Sequence, residues 1–164
     1  MSENTVRAQN EVAAAFAVTQ NKIFYRANKQ IYAIVGRNPD LQLVTTVWFD
    51  KFDTQQEFRV VLEYVMSLFR EGSYRLVFAD LRFQATGYDE SAAWVRDEFV
   101  PALFAAGMER EAVVLPHTPR LPGNRDVAQL TTKLVNENGD ARIRAFTDIA
   151  LAKKWLLAGS SPDE

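Results

Sequence analysis

The chain has 164 residues, 48% of them hydrophobic, 12% aromatic and 24% charged, which fits one domain with enough apolar surface to offset the entropy of ordering it. Nineteen Lys and Arg against 21 Asp and Glu leave a net charge of −2, without the basic excess that a nucleic-acid backbone selects, so no nucleic-acid partner is expected. The absence of cysteine excludes disulfides, thiolate nucleophiles, iron–sulfur clusters and cysteine zinc sites.

Residues 1–20 are Ala-rich and polar, and the apolar spacing of Val12 and Phe16 is too short to define a stable element, so a frayed helix or mobile arm is expected. The apolar run Val12–Val18 follows the acidic Glu3 and Glu11, where a secretion signal needs positive charge. No run approaches the ~18 apolar residues that cross a bilayer. A cytoplasmic protein without membrane insertion is the expectation.

From Lys22, short β-branched and aromatic runs (Ile23–Tyr25, Ile31–Val35, Leu41–Phe49) are separated by RANKQ and GRNPD, which have turn chemistry, so three strands of an antiparallel meander are predicted. Thr54 and Glu57 have the spacing of a capping box, and Phe58, Val61, Leu62, Val65, Leu68 and Phe69 recur at helical steps up to Gly72, expected to close the helix in the left-handed conformation. Tyr74–Leu81 reads as a strand covered on both faces. Asp89 is placed to cap a helix carrying Val95, Phe99 and Leu103, with Pro101 predicted to kink or break it and Gly107 to end it. Glu111–Pro116 is a second buried-type strand, followed by a Pro-rich loop. Val127–Val135 is helical before Gly139, Ala141–Phe146 is a strand, and Thr147–Ala158 is a closing helix capped by Thr147 or Asp148.

This order predicts an α/β fold with a mixed sheet of about six strands, an N-terminal antiparallel meander followed by parallel strands, and four helices. The domain spans 21–159, after the arm 1–20 and before a disordered tail, 160–164.

The element order, the Asp-ended strand LVFADLR, the segment AAWVRDEFVPALFAAGMEREAVVLP and the closing FTDIALAKKWLLAG together resemble the STAS family, the SpoIIAA-like or anti-sigma-factor-antagonist-like fold, with its CRAL-TRIO-like relatives. The resemblance covers about residues 22–158. It implies a non-enzymatic module that binds protein partners or small apolar or anionic ligands, with the contact surface around the helix after the Asp-ended strand. Regulatory members open that helix with Asp-Ser-Ser-Gly and a phosphorylatable serine. Here the stretch reads Asp89-Glu90-Ser91-Ala92, so Ser91 falls on the acceptor position while Glu90 and Ala92 depart from the pattern.

On the residues themselves, Ser91 reads first as a solvated residue of the first helical turn, and His117, the only imidazole, as a solvated turn residue in a Pro-rich loop. Asn136–Asp140 superficially looks like a calcium loop but lacks its spaced carboxylates, and reads as a helix-ending turn. No glycine-rich phosphate cradle is present. No metal site or cofactor is expected. Asp80 ends a covered strand and Arg82 follows two residues on, an arrangement suited to a loop-fixing ion pair or to a polar rim for a ligand. Asp97 and Glu98, with Asp89 and Glu90, read as an acidic solvated face. Trp48 and Phe49 are consecutive on a strand and so point to opposite faces, which makes Trp48 a candidate interface residue.

The leading expectation is thus a non-catalytic STAS-like regulatory or scaffolding module. It would engage an unidentified protein partner through the 82–98 loop–helix surface, with Asp80, Arg82, Asp89, Glu90, Ser91 and Arg96 as candidate binding residues. The alternative is a carrier of a small apolar ligand or lipid. A weaker alternative is a hydrolase built on Asp80 and His117. Homodimerisation through an edge strand or the Trp48 region is compatible with the pattern.

Overall fold

In the computed structural model, residues 3–116 and 123–158 are described. The three short runs after residue 19 form strands β1 (Gln20–Tyr25), β2 (Ile31–Asn38) and β3 (Leu43–Asp50), each antiparallel to its neighbour, with Ile23 opposite Ile34 and Val35 opposite Thr46. Strands β4 (Leu76–Gln84), β5 (Arg110–Val114) and β6 (Ile143–Phe146) then add in parallel, so the six strands lie side by side in chain order.

That order determines where the helices lie. Each parallel step moves the same way along the sheet, and right-handed crossovers all taken in one direction put their helices on one face. Helix α2 (Gln55–Glu71), helix α3 (residues 89–105) and helix α4 (Asn124–Asn138) accordingly bury Phe58, Val65, Phe99, Leu103 and Val127 with Val77 and Val113 of the sheet. The opposite face is covered by α1 (Glu3–Phe16) and α5 (Ile149–Ala158), which bury Ala8, Val12, Phe16, Ala152 and Leu156 against Ile34, Phe49, Phe78 and Val114. The described residues therefore carry five helices, one more than predicted. No helix among the described residues is long and apolar enough to cross a membrane.

The extra helix is the segment expected to be a loose arm. Thr5, Ala8, Val12 and Phe16 recur at three- and four-residue steps and are all buried, because small Ala8 lets the helix approach the sheet closely. Its last carbonyls are satisfied from across the chain: Asn38 Nδ2 donates to the carbonyls of Phe16 at 2.9 Å and Ala17 at 3.1 Å.

The capping box of α2 forms as its spacing predicts, with the Glu57 amide donating to Thr54 Oγ1 at 3.2 Å and the Thr54 amide to Glu57 Oε1 at 3.0 Å. Gly72 is extended (φ −139°) rather than left-handed, whereas Gly139 ends α4 at φ +62°. Asp89 makes no side-chain cap and instead begins a 3-10 turn. Helix α3 is then wound unevenly. A π-helical turn, Val95–Phe99, in which the Val100 amide bonds to the Val95 carbonyl, leads into an α-helical stretch, Val100–Ala105, that contains Pro101. The wider turn just before Pro101 is how the helix accommodates the missing amide. Helix α5 starts on Asp148, whose Oδ1 accepts from the Leu151 amide at 2.9 Å. The predicted tail, 160–164, lies outside the described residues.

Candidate functional site

Small side chains on adjacent strands leave a hollow on the three-helix face. Thr46 pairs with Ala79, and Ala79 with Val113, so the middle of the sheet floor is low where the large Trp48 and Leu81 rise beside it. Above, Phe58, Leu62 and Val65 of α2, Phe99 and Leu103 of α3, and Leu134 and Val135 of α4 form the roof. The resulting cavity measures about 110 Å³ and is lined mainly by apolar side chains.

A few polar groups interrupt that lining. Glu111 projects from β5 between Val77 and Ile143, its register partners on either side. Half-buried, it opens onto the cavity while protein surrounds it, and burial alone pushes its carboxyl up to about 7, with no opposing cation or hydrogen bond. Gln84 is 1% exposed. Its Nε2 donates to the Thr86 carbonyl at 2.8 Å, which fixes the amide orientation and leaves Oε1 buried without a partner. A buried acceptor left unpaired costs about 1–3 kcal/mol, and so calls for an explanation.

Tyr88 stacks on Phe58 with ring centroids 4.9 Å apart, and its hydroxyl lies 2.7 Å from Thr131 Oγ1. Burial pushes that phenol up to about 12, and the Glu111 charge adds to the effect, so the two groups sense each other across the cavity. One hydrogen bond thus joins Tyr88 to Thr131. At the rim, exposed Arg96 of α3 reaches Glu137 of α4 at 3.4 Å and Asp97 at 2.8 Å.

The carboxyl end of β4 is held by the start of α4. Asn124 Nδ2 donates to the Gln84 carbonyl at 2.6 Å. Gly123 has φ +91°, and a β-carbon there would sit 1.9 Å from the Ala85 carbonyl oxygen, so only glycine permits this approach.

The residues singled out from sequence do not converge on one surface. Asp80 is fully buried and Arg82 turns to the opposite side, where its Nε and Nη2 bind the Asp80 carboxylate at 3.0 and 2.9 Å and its Nη1 binds Glu11 of α1 at 2.8 Å. This is the loop-fixing ion pair, extended into a clamp on α1. Asp89 and Glu90 are exposed on the 3-10 turn that opens α3. Ser91, expected to be solvated, is fully buried. Its Oγ donates to Gln55 Oε1 at 2.8 Å and accepts from Arg59 Nε at 3.2 Å, so α2 covers the position that a phosphate would occupy. Of the six, only Arg96 lines the cavity.

Trp48, a candidate interface residue from the sequence, lies in the core. It is 2% exposed and packs on Phe58 and Phe52, while Phe49, on the other face, is 2% exposed beneath the α1 side. Both consecutive aromatics are covered because helices lie on both faces of the sheet. In the helix-ending turn, Asp140 binds Arg142 at 2.7 Å and Glu137 binds Arg96, so these carboxylates hold side chains. No group of three metal-ligating residues occurs among the described residues. His117 lies outside them.

Sequence reasoning missed Glu111, Gln84, Thr46, Tyr88 and Thr131. One signal was available: in Glu111-Ala112-Val113-Val114-Leu115, the carboxylate occupies the same strand face as Val113 and Leu115. No family model, no curated protein and no solved structure matches the chain.

Proposed function

We propose that this chain is a non-catalytic small-ligand-binding domain of STAS-like type, holding an apolar molecule between the sheet and helices α2, α3 and α4. The observation that carries this reading is the cavity of about 110 Å³ in which two acceptors, Gln84 Oε1 and the Glu111 carboxyl, have no protein partner. An apolar pocket with a few polar groups is the usual form of a small-molecule site. The size sets the ligand class. An engineered apolar cavity of about 150 Å³ accepts benzene, so this one suits a single ring or a short chain and is too small for a whole lipid.

The alternative of a protein-docking surface over 82–98 draws less support, because Asp80, Arg82 and Ser91 are committed to internal contacts.

Thermal denaturation with toluene tests the reading. A site-bound ligand at a hundred times its Kd adds about 2.7 kcal/mol of stability, so Tm should rise in the parent protein. The rise should vanish in Ala79→Leu, which fills the floor. Absence of any shift in the parent, or an equal shift in Ala79→Leu, contradicts a ligand site in this cavity.

A further inference from the structure

Beside the neutral side chains of Thr46 and Asn138, the unpaired polar groups that line the cavity include two acceptors. Gln84 presents its carbonyl oxygen, since its amide nitrogen is spent on Thr86. Glu111 presents a carboxyl group with apolar Val77 and Ile143 on either side of it in the sheet. Tyr88 and Thr131 are hydrogen-bonded to each other, and the lining cation, Arg96, is drawn off to Asp97 and Glu137 at the rim. Free acceptors thus face the cavity, and no charged donor among the described residues answers them.

The contrast with the other face is direct. There the buried carboxylate of Asp80 receives two bonds from the Arg82 guanidinium. A buried carboxylate is retained at tolerable cost when a cation is paired with it. The chain supplies that cation to Asp80 and withholds it from Glu111, the carboxylate that lines this cavity.

We infer that the ligand itself supplies the missing cation: a compact primary amine with an apolar body, its ammonium group on the Glu111 carboxylate and its hydrocarbon among Val113, Leu103 and Leu134. Ligands bearing a carboxylate are rejected, because they would place like charge beside Glu111 in a low-dielectric space. This inference rests on the cavity being a ligand site, and adds the charge and size of what enters it.

Isothermal titration calorimetry at pH 7.5 with benzylamine, toluene and benzoate separates the two levels. Benzylamine should bind at least about tenfold more tightly than toluene, the increment of a charge-assisted hydrogen bond, and benzoate should not bind detectably. In Glu111→Gln, which keeps shape and removes charge, benzylamine should fall to the level of toluene while toluene binding persists. Melting curves confirm that the variant is folded. Toluene binding as tightly as benzylamine in the parent protein, or an undiminished preference for benzylamine in Glu111→Gln, overturns the amine assignment and leaves the cavity reading standing. Failure of all three probes overturns both.

Discussion

Arg82 grips Asp80 from two residues away on the same strand, with bonds of 3.0 Å from Nε and 2.9 Å from Nη2, while its remaining nitrogen reaches Glu11 on α1 at 2.8 Å. One side chain therefore neutralises a fully buried carboxylate and fastens the N-terminal helix to the sheet. Removing it in Arg82→Leu strands Asp80, and loss of one partner from a buried pair costs roughly 3–5 kcal/mol. Glu11→Gln touches only the partly exposed end of the clamp and should cost about 1 kcal/mol or less. Urea denaturation should rank the variants in that order, and equal effects would contradict the clamp.

Glu111 makes stability depend on pH near neutrality. Its carboxyl rises from 4.5 to about 7 in the folded protein, so the folded state binds the proton more tightly than the unfolded state does. The contribution of Glu111 to stability is therefore fully present below pH 4.5, falls between 4.5 and about 7, and is lost above. At about 1.4 kcal/mol per pH unit, the full effect is on the order of 3 kcal/mol. Glu111→Gln should thus be more stable than the parent at pH 8, and the advantage should shrink to near zero at pH 4. Denaturation midpoints at the two pH values read this directly, and an advantage of the same size at both would contradict it.

The buried hydroxyl of Ser91 ties α3 to α2 through Gln55 and Arg59. Ser91→Ala leaves both partners unpaired and should cost about 1–2 kcal/mol. Ser91→Asp should cost more, because a charge is forced into a filled site. If Ser91→Asp melts with the parent, the serine is more accessible than its contacts imply.

Gly123 sits where α4 begins against the backbone of β4, and Gly123→Ala would drive a β-carbon to 1.9 Å from the Ala85 carbonyl oxygen. The positive φ adds strain that alanine does not tolerate. A loss above about 2 kcal/mol is expected, within the range of severe backbone substitutions, and circular dichroism melting checks it. An unchanged Tm would mean that the turn can move away from β4.

What was legible in the sequence was what is encoded locally. The capping box at Thr54 and Glu57, the strands and the disturbance at Pro101 each depend on neighbours within a few residues, and the alternating order after residue 54 specified parallel pairing. Helix α1 was illegible for a different reason. Its stripe of Thr5, Ala8, Val12 and Phe16 looks weak because alanine and threonine add little apolar surface, and packing against the sheet is what holds this Ala-rich helix in place. The alternation rule placed Trp48 and Phe49 on opposite faces, but it carries no information on what covers each face. The cavity was furthest out of reach. It exists because Thr46, Ala79 and Val113, on three different strands, meet side by side, and a lone carboxylate such as Glu111 carries no motif.

Pressurising a crystal of the protein with xenon probes the hollow itself, since an apolar cavity takes up the gas whatever its natural ligand. Xenon density is expected above Ala79, between Val113 and Leu103, and should disappear in Ala79→Leu. A parent crystal with side chains filling that space and no xenon there would contradict it.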